Sequence, residues 1–317
     1  DILKLGFYVQ DEIRFNNWDI IAGIRYDANN IDAYDSDEWY DSLSIVGLGT
    51  IDKESALGKP ISKDFSNWSP SISANYKLND DVTFYGKYAR SFRAPSWEDL
   101  NSSRISLSPG FSYTTIGNPD LKEETSDNFE IGVKGRTTKS DFGLATFLNK
   151  YDNFIDKSVN KGFNDTIPYT YQPFGPPGTP QQTVNAAKYQ SVNIPETTIW
   201  GIEADYKYHF SERNKGLSVS ASASLVKGRD ETNDQNLDSV NPFTAITSFN
   251  YIFPKNNLSA TLITTYVAEP NTSQDYLNPV VNGRSLAANV YVPDAFVTTD
   301  FVLKYKPSER FIADLGV

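Results

Sequence analysis

The feature that most constrains this chain is a strict alternation of short turns and long connections between segments of period two. In the first segment Leu3, Leu5, Phe7, Val9, Ile13 and Phe15 fall on one face, against Lys4, Tyr8, Gln10, Glu12 and Arg14 on the other. Such alternation is the pattern of a β-strand. After Asn16 and Asn17 it resumes, with Trp18, Ile20, Ala22, Ile24 and Tyr26 opposed to Asp19, Arg25 and Asp27. Two strands of about eleven residues therefore form a hairpin. The unit repeats at residues 70–78 and 82–92, and further turns at 137–140, 211–216, 254–257 and 307–309 bring the expected total to about twelve strands. Between hairpins lie much longer connections, at 29–67, 93–122, 157–185, 230–240 and 268–291.

This asymmetry is foreign to a soluble sandwich, whose two ends carry turns of mixed length. It is the layout of a transmembrane antiparallel β-barrel, with short periplasmic turns and long outer loops. A tilted strand crosses a bilayer in about 9 to 11 residues, which matches the segments. Aromatic residues make up 14% of the chain and gather beside the short turns, at Phe15, Trp18, Tyr76, Tyr206, Tyr208, Phe210, Tyr251, Phe253, Tyr305 and Phe311. They read as an interfacial girdle. The opposite faces carry Lys4, Gln10, Glu12, Asn75, Lys77, Glu130, Lys134, Glu203, Asp205 and Lys207, suited to a wet lumen. The alternative is a soluble all-β protein whose aromatics fill a core.

Composition removes several classes. The longest apolar run, from Ile20 to Ile24, is far short of the roughly 18 residues of a spanning helix. Lys and Arg are outnumbered 29 to 40, with no basic block, which argues against a nucleic-acid partner. Zero Cys excludes thiol nucleophiles and thiolate metal sites, and the single His209 sits beside a short turn, where it reads as an interfacial side chain. A Ser–His enzyme fails on that geometry, so the chain is expected not to be an enzyme. Both ends fall on the outer side if short turns face the periplasm, so residues 1–317 are expected to be a piece of a larger barrel.

Two neighbouring motifs carry a family resemblance. Ser91, Phe92, Arg93, Ala94 and Pro95 close one strand, and Gly117, Asn118, Pro119, Asp120, Leu121, Lys122, Glu123, Glu124, Thr125 and Ser126 lead into the next. With Tyr8, Val9, Gln10, Asp11 and Glu12 they resemble the barrel of TonB-dependent outer-membrane receptors, over essentially the whole chain. The resemblance implies strands 10 to 21 of a 22-stranded barrel, with the plug domain and its TonB-binding segment absent. It also implies a place in a Gram-negative-type outer membrane among lipid and lipopolysaccharide, the TonB complex as partner, and import of a scarce solute. By turn chemistry alone, Pro95 and Pro119 end or start spans by lacking a donor, and Asn118 suits a turn. Phe92, Pro95, Asn118 and Pro119 are thus read as structural.

The motif pair especially resembles heme and hemoglobin receptors, which place an axial histidine between the two motifs. Residues 96–117 contain no His, and Ser102, Ser103, Arg104, Ile105 and Ser106 stand where it would be. Tyr113 is the remaining iron-ligand candidate. A ferric siderophore, usually anionic, would instead be held by arginines and aromatics. The candidates are Arg93, Arg104 and Arg284, with Trp97, Phe111, Tyr113, Tyr169, Tyr171 and Phe174. A ferric siderophore is therefore the expected cargo, with heme and then cobalamin as alternatives. No intrinsic cofactor is expected, although the acidic stretches 32–41 and 230–238 could hold calcium. A structural or adhesin-type barrel is the reading from a different class.

Overall fold

A computed structural model of the chain describes residues 2–33, 43–45, 49–51, 58–106, 112–171, 178–213, 215–237, 240–255, 257–271, 280–281, 284–285, 292–308 and 310–317. One antiparallel sheet runs through twelve strands in sequence order. These are β1 (Ile2–Phe15), β2 (Trp18–Ile31), β5 (Lys63–Lys77), β6 (Val82–Arg93), β9 (Glu124–Arg136), β10 (Ser140–Tyr171), β11 (Gln182–His209), β12 (Gly216–Asp230), β14 (Thr244–Phe253), β15 (Leu258–Val267), β18 (Phe296–Ser308) and β19 (Phe311–Gly316). Short strands ornament the long-connection end: β3 (Leu43–Ile45), β4 (Gly49–Ile51), β7 (Ser103–Ser106), β8 (Tyr113–Ile116), β13 (Gln235–Asn236), β16 (Val280–Val281) and β17 (Arg284–Ser285). The meander has no crossover, as consecutive hairpins require.

Register assigns the two faces. One row runs Phe15, Trp18, Tyr76, Phe84, Val133, Leu144, Ala204, Ala223, Ala245 and Tyr266, partner to partner, without a single polar side chain except tyrosine. The adjacent row on the reverse face runs Arg14, Asp19, Asn75, Tyr85, Gly132, Ala145, Glu203, Ser224 and Thr244. Successive side chains alternate faces, so the apolar row and its largely polar neighbour lie on opposite sides of the same sheet. Apolar side chains of the first face stand open, with Ile131 64% and Leu144 51% exposed. Buried apolar side chains among the described residues lie instead at the long-connection end, where Ile31, Phe65, Leu100 and Leu121 form a cluster. A soluble sandwich would bury the apolar row along its whole length against a second layer. No helix among the described residues is long and apolar enough to cross a membrane.

Short turns are tight and aromatic. Asn16 has φ of 48°, in the left-handed region that asparagine tolerates. The rings of Trp18 and Tyr76 lie 4.8 Å apart, and those of Tyr208 and Phe210 4.9 Å apart. His209 is buried there, contrary to its reading as an interfacial side chain, with Nε2 3.4 Å from Asp141 Oδ2. The same carboxylate accepts hydrogen bonds from Arg213 Nη1 at 2.6 Å and Arg136 Nε at 2.7 Å, while Arg213 Nη2 donates to the Thr137 carbonyl. This charge-assisted knot ties two adjacent turns. Arg213→Ala is expected to cost about 1–2 kcal/mol, because charged hydrogen bonds at a part-exposed site are lost. A thermal midpoint of the full-length protein equal to the parent's would refute that role.

Strands β10 and β11 depart from the expectation of a long loop at 157–185. Their ladder continues from Ser140↔Tyr208 to Tyr171↔Gln182, interrupted by shifts between Asp156 and Val159, Asn160 and Phe163, and Asn164 and Pro168. Pairing of β10 with β9 ends at Asp152↔Thr125, and at the next residue Asn153 takes φ of 56°. The hairpin thus leaves the wall and rises beyond it. Gly162 and Pro168 fall at two of these register shifts, which the ladder absorbs as bulges.

Candidate ligand-binding mouth

At the top of β6 the chain turns over the sheet, and local chemistry explains each step. Pro95, fully buried, cannot donate to the ladder. Ser96 then starts a single helical turn, α1 (Trp97–Asn101), through a capping box: Ser96 Oγ accepts from Asp99 N at 3.1 Å and Asp99 Oδ2 accepts from Ser96 N at 3.1 Å. Leu100 enters the buried cluster with Ile31, Phe65 and Leu121, and Phe92, Ala94 and Trp97 pack against it. Lys63 Nζ ties the returning chain by donating to the carbonyls of Pro119 at 2.8 Å and Leu121 at 2.7 Å.

The centre of the arrangement is Asp99, 8% exposed. Its carboxylate accepts from Ser96 Oγ at 2.8 Å and from Ser191 Oγ of β11 at 2.9 Å, with Lys157 Nζ of β10 at 3.5 Å. Its carbonyl accepts from Asn118 N at 2.8 Å. Burial pushes the carboxyl up, but the hydrogen bonds from Ser96 and Ser191 and the Lys157 ammonium outweigh it and hold the group below its ordinary range. Around it, Asn118 Nδ2 donates to the Ser191 carbonyl at 2.9 Å and Gln190 Nε2 to the Gly117 carbonyl at 2.9 Å. Asn193 joins Lys122 and Asn153, its Oδ1 accepting from Lys122 N at 2.8 Å. The motif loop is therefore seated on the raised β10–β11 hairpin.

From this seat the antiparallel pair β7–β8 extends, and β8 joins β11 in parallel through Tyr113↔Ala187 and Thr115↔Tyr189. Arg104 is exposed on β7, with its guanidinium carbon 6.0 Å from the centre of the Tyr113 ring. Tyr113 meets Tyr189 edge to face at 6.3 Å. Arg104, Tyr113 and the unforeseen Tyr189 are thus brought together as a cationic and aromatic surface. Ile105 lies opposite Thr114 and is half-buried.

Other expected site residues are placed elsewhere. Arg93 Nη2 donates to Glu124 Oε2 at 2.6 Å and to the Ile155 carbonyl at 3.3 Å, while Ile155 N donates to the same carboxylate oxygen at 2.9 Å. It anchors the strand top, although its side chain remains 47% exposed. Trp97 packs on the cluster below the loop. Tyr169 and Tyr171 are in the raised ladder, opposite Val184 and Gln182, and Arg284 pairs with Val281 in β17. Phe111 and Phe174 lie outside the described residues, as does most of the acidic stretch 32–41. In the second acidic stretch, Asp230 accepts from Thr232 N and Asn233 N at 2.9 Å each, and Arg229 pairs with Glu231 and Asp234. The capping spacing Ser96 to Asp99 was a local signal for the helix. Lys63 and Ser191, 36 residues before and 92 after Asp99 by their numbers, gave none.

A single-layer antiparallel wall with one apolar and one polar face, short turns at one end and an ordered loop cluster at the other, is the architecture of a transmembrane β-barrel wall. The chain belongs to the family described as TonB dependent receptor-like, beta-barrel, which matches residues 4–317. It is 25% identical over 312 residues to the hemin receptor of Yersinia pestis, covering 96% of this chain and 38% of that protein. It is 31% identical over 154 residues to the ferrienterobactin receptor of Escherichia coli (strain K12), covering 46% of this chain and 18% of that protein. The siderophore receptor PirA from Acinetobacter baumannii shares the fold, with a TM-score of 0.62 at 17% identity over 99% of this chain and 50% of PirA. The chain spans 25–38% of the length of curated relatives such as these hemin and hemoglobin-binding proteins.

Proposed function

We propose that this chain forms wall, lumen surface and outer mouth of an outer-membrane receptor that binds an iron complex and imports it with energy delivered through TonB. Residues 1–317 then correspond to about strands 10 to 21 of a 22-stranded barrel. The cargo we assign is a ferric siderophore. The observation that carries this assignment is the exposed Arg104 of β7 over the ring of Tyr113 of β8, which in turn meets Tyr189 of β11 edge to face. A cation beside aromatic faces suits an anionic, aromatic chelate, which needs no direct bond to iron. Relatives named for hemin favour the second reading, a heme receptor, in which Tyr113 would supply the ligand that histidine cannot.

A knockout strain complemented with the full-length gene and grown on a panel of iron sources tests the assignment. Rescue on ferric siderophores supports it, and rescue on heme or hemoglobin alone contradicts it. Arg104→Ala is expected to weaken capture of the active iron complex by roughly 10-fold, the scale of one charge-assisted contact. Unchanged affinity on purified full-length receptor would remove Arg104 from the site.

A further inference from the structure

On the outward wall, the apolar row of Trp18, Tyr76, Phe84, Val133 and Leu144 is followed, one step toward mid-wall, by Ile20, Ala74, Gly86, Ile131 and Thr146. All of these except Ile20 line an apolar trough across adjacent strands, with Ala74 and Gly86 as the floor between taller side chains. Two glycines in this part of the sheet differ in their reason for being small. At Gly132, on the polar face, an added Cβ would lie 2.6 Å from the Tyr85 ring, so the protein itself fills the space. At Gly86 the nearest atom to an added Cβ is Ile131 Cγ2 at 3.8 Å, which is ordinary contact. Among the described residues no atom approaches an added Cβ at Gly86 closer than this, and glycine within a strand loses both packing and backbone entropy.

We propose that this trough binds an acyl chain of a phospholipid from the leaflet on the short-turn side. The inference rests on the reading that the wall spans the outer membrane. Three features point to that occupant. The trough is continuous with the lipid-facing row, so hydrocarbon is the medium that reaches it. Its lining is apolar apart from Tyr76, Thr146 and Tyr85, whose hydroxyl donates to Glu130, and this suits a hydrocarbon chain and gives a headgroup little to pair with. It also lies beside the Trp18–Tyr76 ring pair that follows the turn at Asn16 and Asn17, placing it in the half of the wall toward the short turns. Strands rise about 3.4 Å per residue, so the floor is roughly 7 Å along the strand from the Trp18 row, within acyl-chain depth.

The test uses full-length receptor purified from outer membranes and native mass spectrometry to count and identify retained lipids. Gly86→Leu fills the trough, and Gly86→Ala partly fills it while making only ordinary contact with Ile131. The parent is expected to retain a phospholipid that Gly86→Leu loses and Gly86→Ala retains less often. Equal phospholipid retention by all three proteins, or lipopolysaccharide as the retained molecule, overturns the proposal. Gly86→Ala keeps the test decisive if the leucine variant does not fold. Fractionation of the same cells reports separately on the spanning reading: a parent receptor found outside the outer-membrane fraction would defeat that reading itself, whereas equal retention by a correctly placed receptor defeats only the trough.

Discussion

Gly117→Val is expected to unseat the motif loop while leaving the wall intact. A Cβ at this position would lie 2.3 Å from the Leu100 carbonyl oxygen and 2.6 Å from Asn101 N. Both are backbone atoms of α1, so no rotamer change relieves the clash. The loop must move away from the helix, which breaks the bond from Gly117 N to the Ser102 carbonyl at 2.6 Å and that from Gln190 to the Gly117 carbonyl. The cost is about 3 kcal/mol, at the upper end of ordinary overpacking. Hydrogen exchange on the full-length receptor should speed up in residues 96–104 and 113–118 but not at the short turns. Parental protection in those two segments would show that the close approach does not hold the loop.

Asp99→Ala should release the same loop from the other side. The substitution removes the carboxylate half of the capping box, which accepts from Ser96 N and Ser96 Oγ, leaves Ser191 Oγ without its carboxylate partner, and leaves Lys157 without its counter-charge. Each lost hydrogen bond to the carboxylate, from Ser96 N, Ser96 Oγ and Ser191 Oγ, costs about 1 kcal/mol, so roughly 2–4 kcal/mol of local stability is expected to go. The β7–β8 pair should loosen together with residues 187–193, because β8 is held by β11. Exchange that rises in α1 alone would contradict a shared seat. The sign of the pH effect follows from the Asp99 pKa, held against burial below the ordinary carboxylate range by its hydrogen bonds from Ser96 and Ser191. A carboxylate depressed in the folded state contributes its stability above the ordinary carboxylate range and loses it as pH falls through the folded value. Trp97 packs on this cluster, so the fluorescence difference between parent and Trp97→Phe should be constant near neutrality and shift to longer wavelength only in strong acid. A shift already complete near neutral pH would assign the seat to another group.

The wall was legible in the sequence because its signal is local. Leu3 to Phe15 and Trp18 to Tyr26 alternate in step with the pleat, and register carries that alternation across the sheet. The turns at 137–140 and 254–257 were legible for the same reason, since turn chemistry acts over a few residues. The raised hairpin was not. Its prolines and glycines read as loop, and only the pairing of Tyr169 with Val184 and Asn164 with Ala186 makes strand of it. The mouth was half legible. Pro95 and Asn118 were recognisable as punctuation, whereas Asp99 acquires its role from Ser191 and Lys157, partners that no local pattern announces. Arg93 illustrates the same limit, since its engagement with Glu124 depends on a cross-strand register that composition does not encode.

The central claim is that hydrocarbon covers one face of the wall and water the other, and single-cysteine labelling along β9 tests it most directly in a chain without native cysteine. Spin labels placed in turn at residues 129–134 of the full-length receptor in its membrane would be challenged with oxygen and with a water-soluble nickel chelate. Labels at Phe129, Ile131 and Val133 should meet oxygen and be shielded from nickel, and those at Glu130, Gly132 and Lys134 the reverse. Equal nickel accessibility at all six positions would contradict the account.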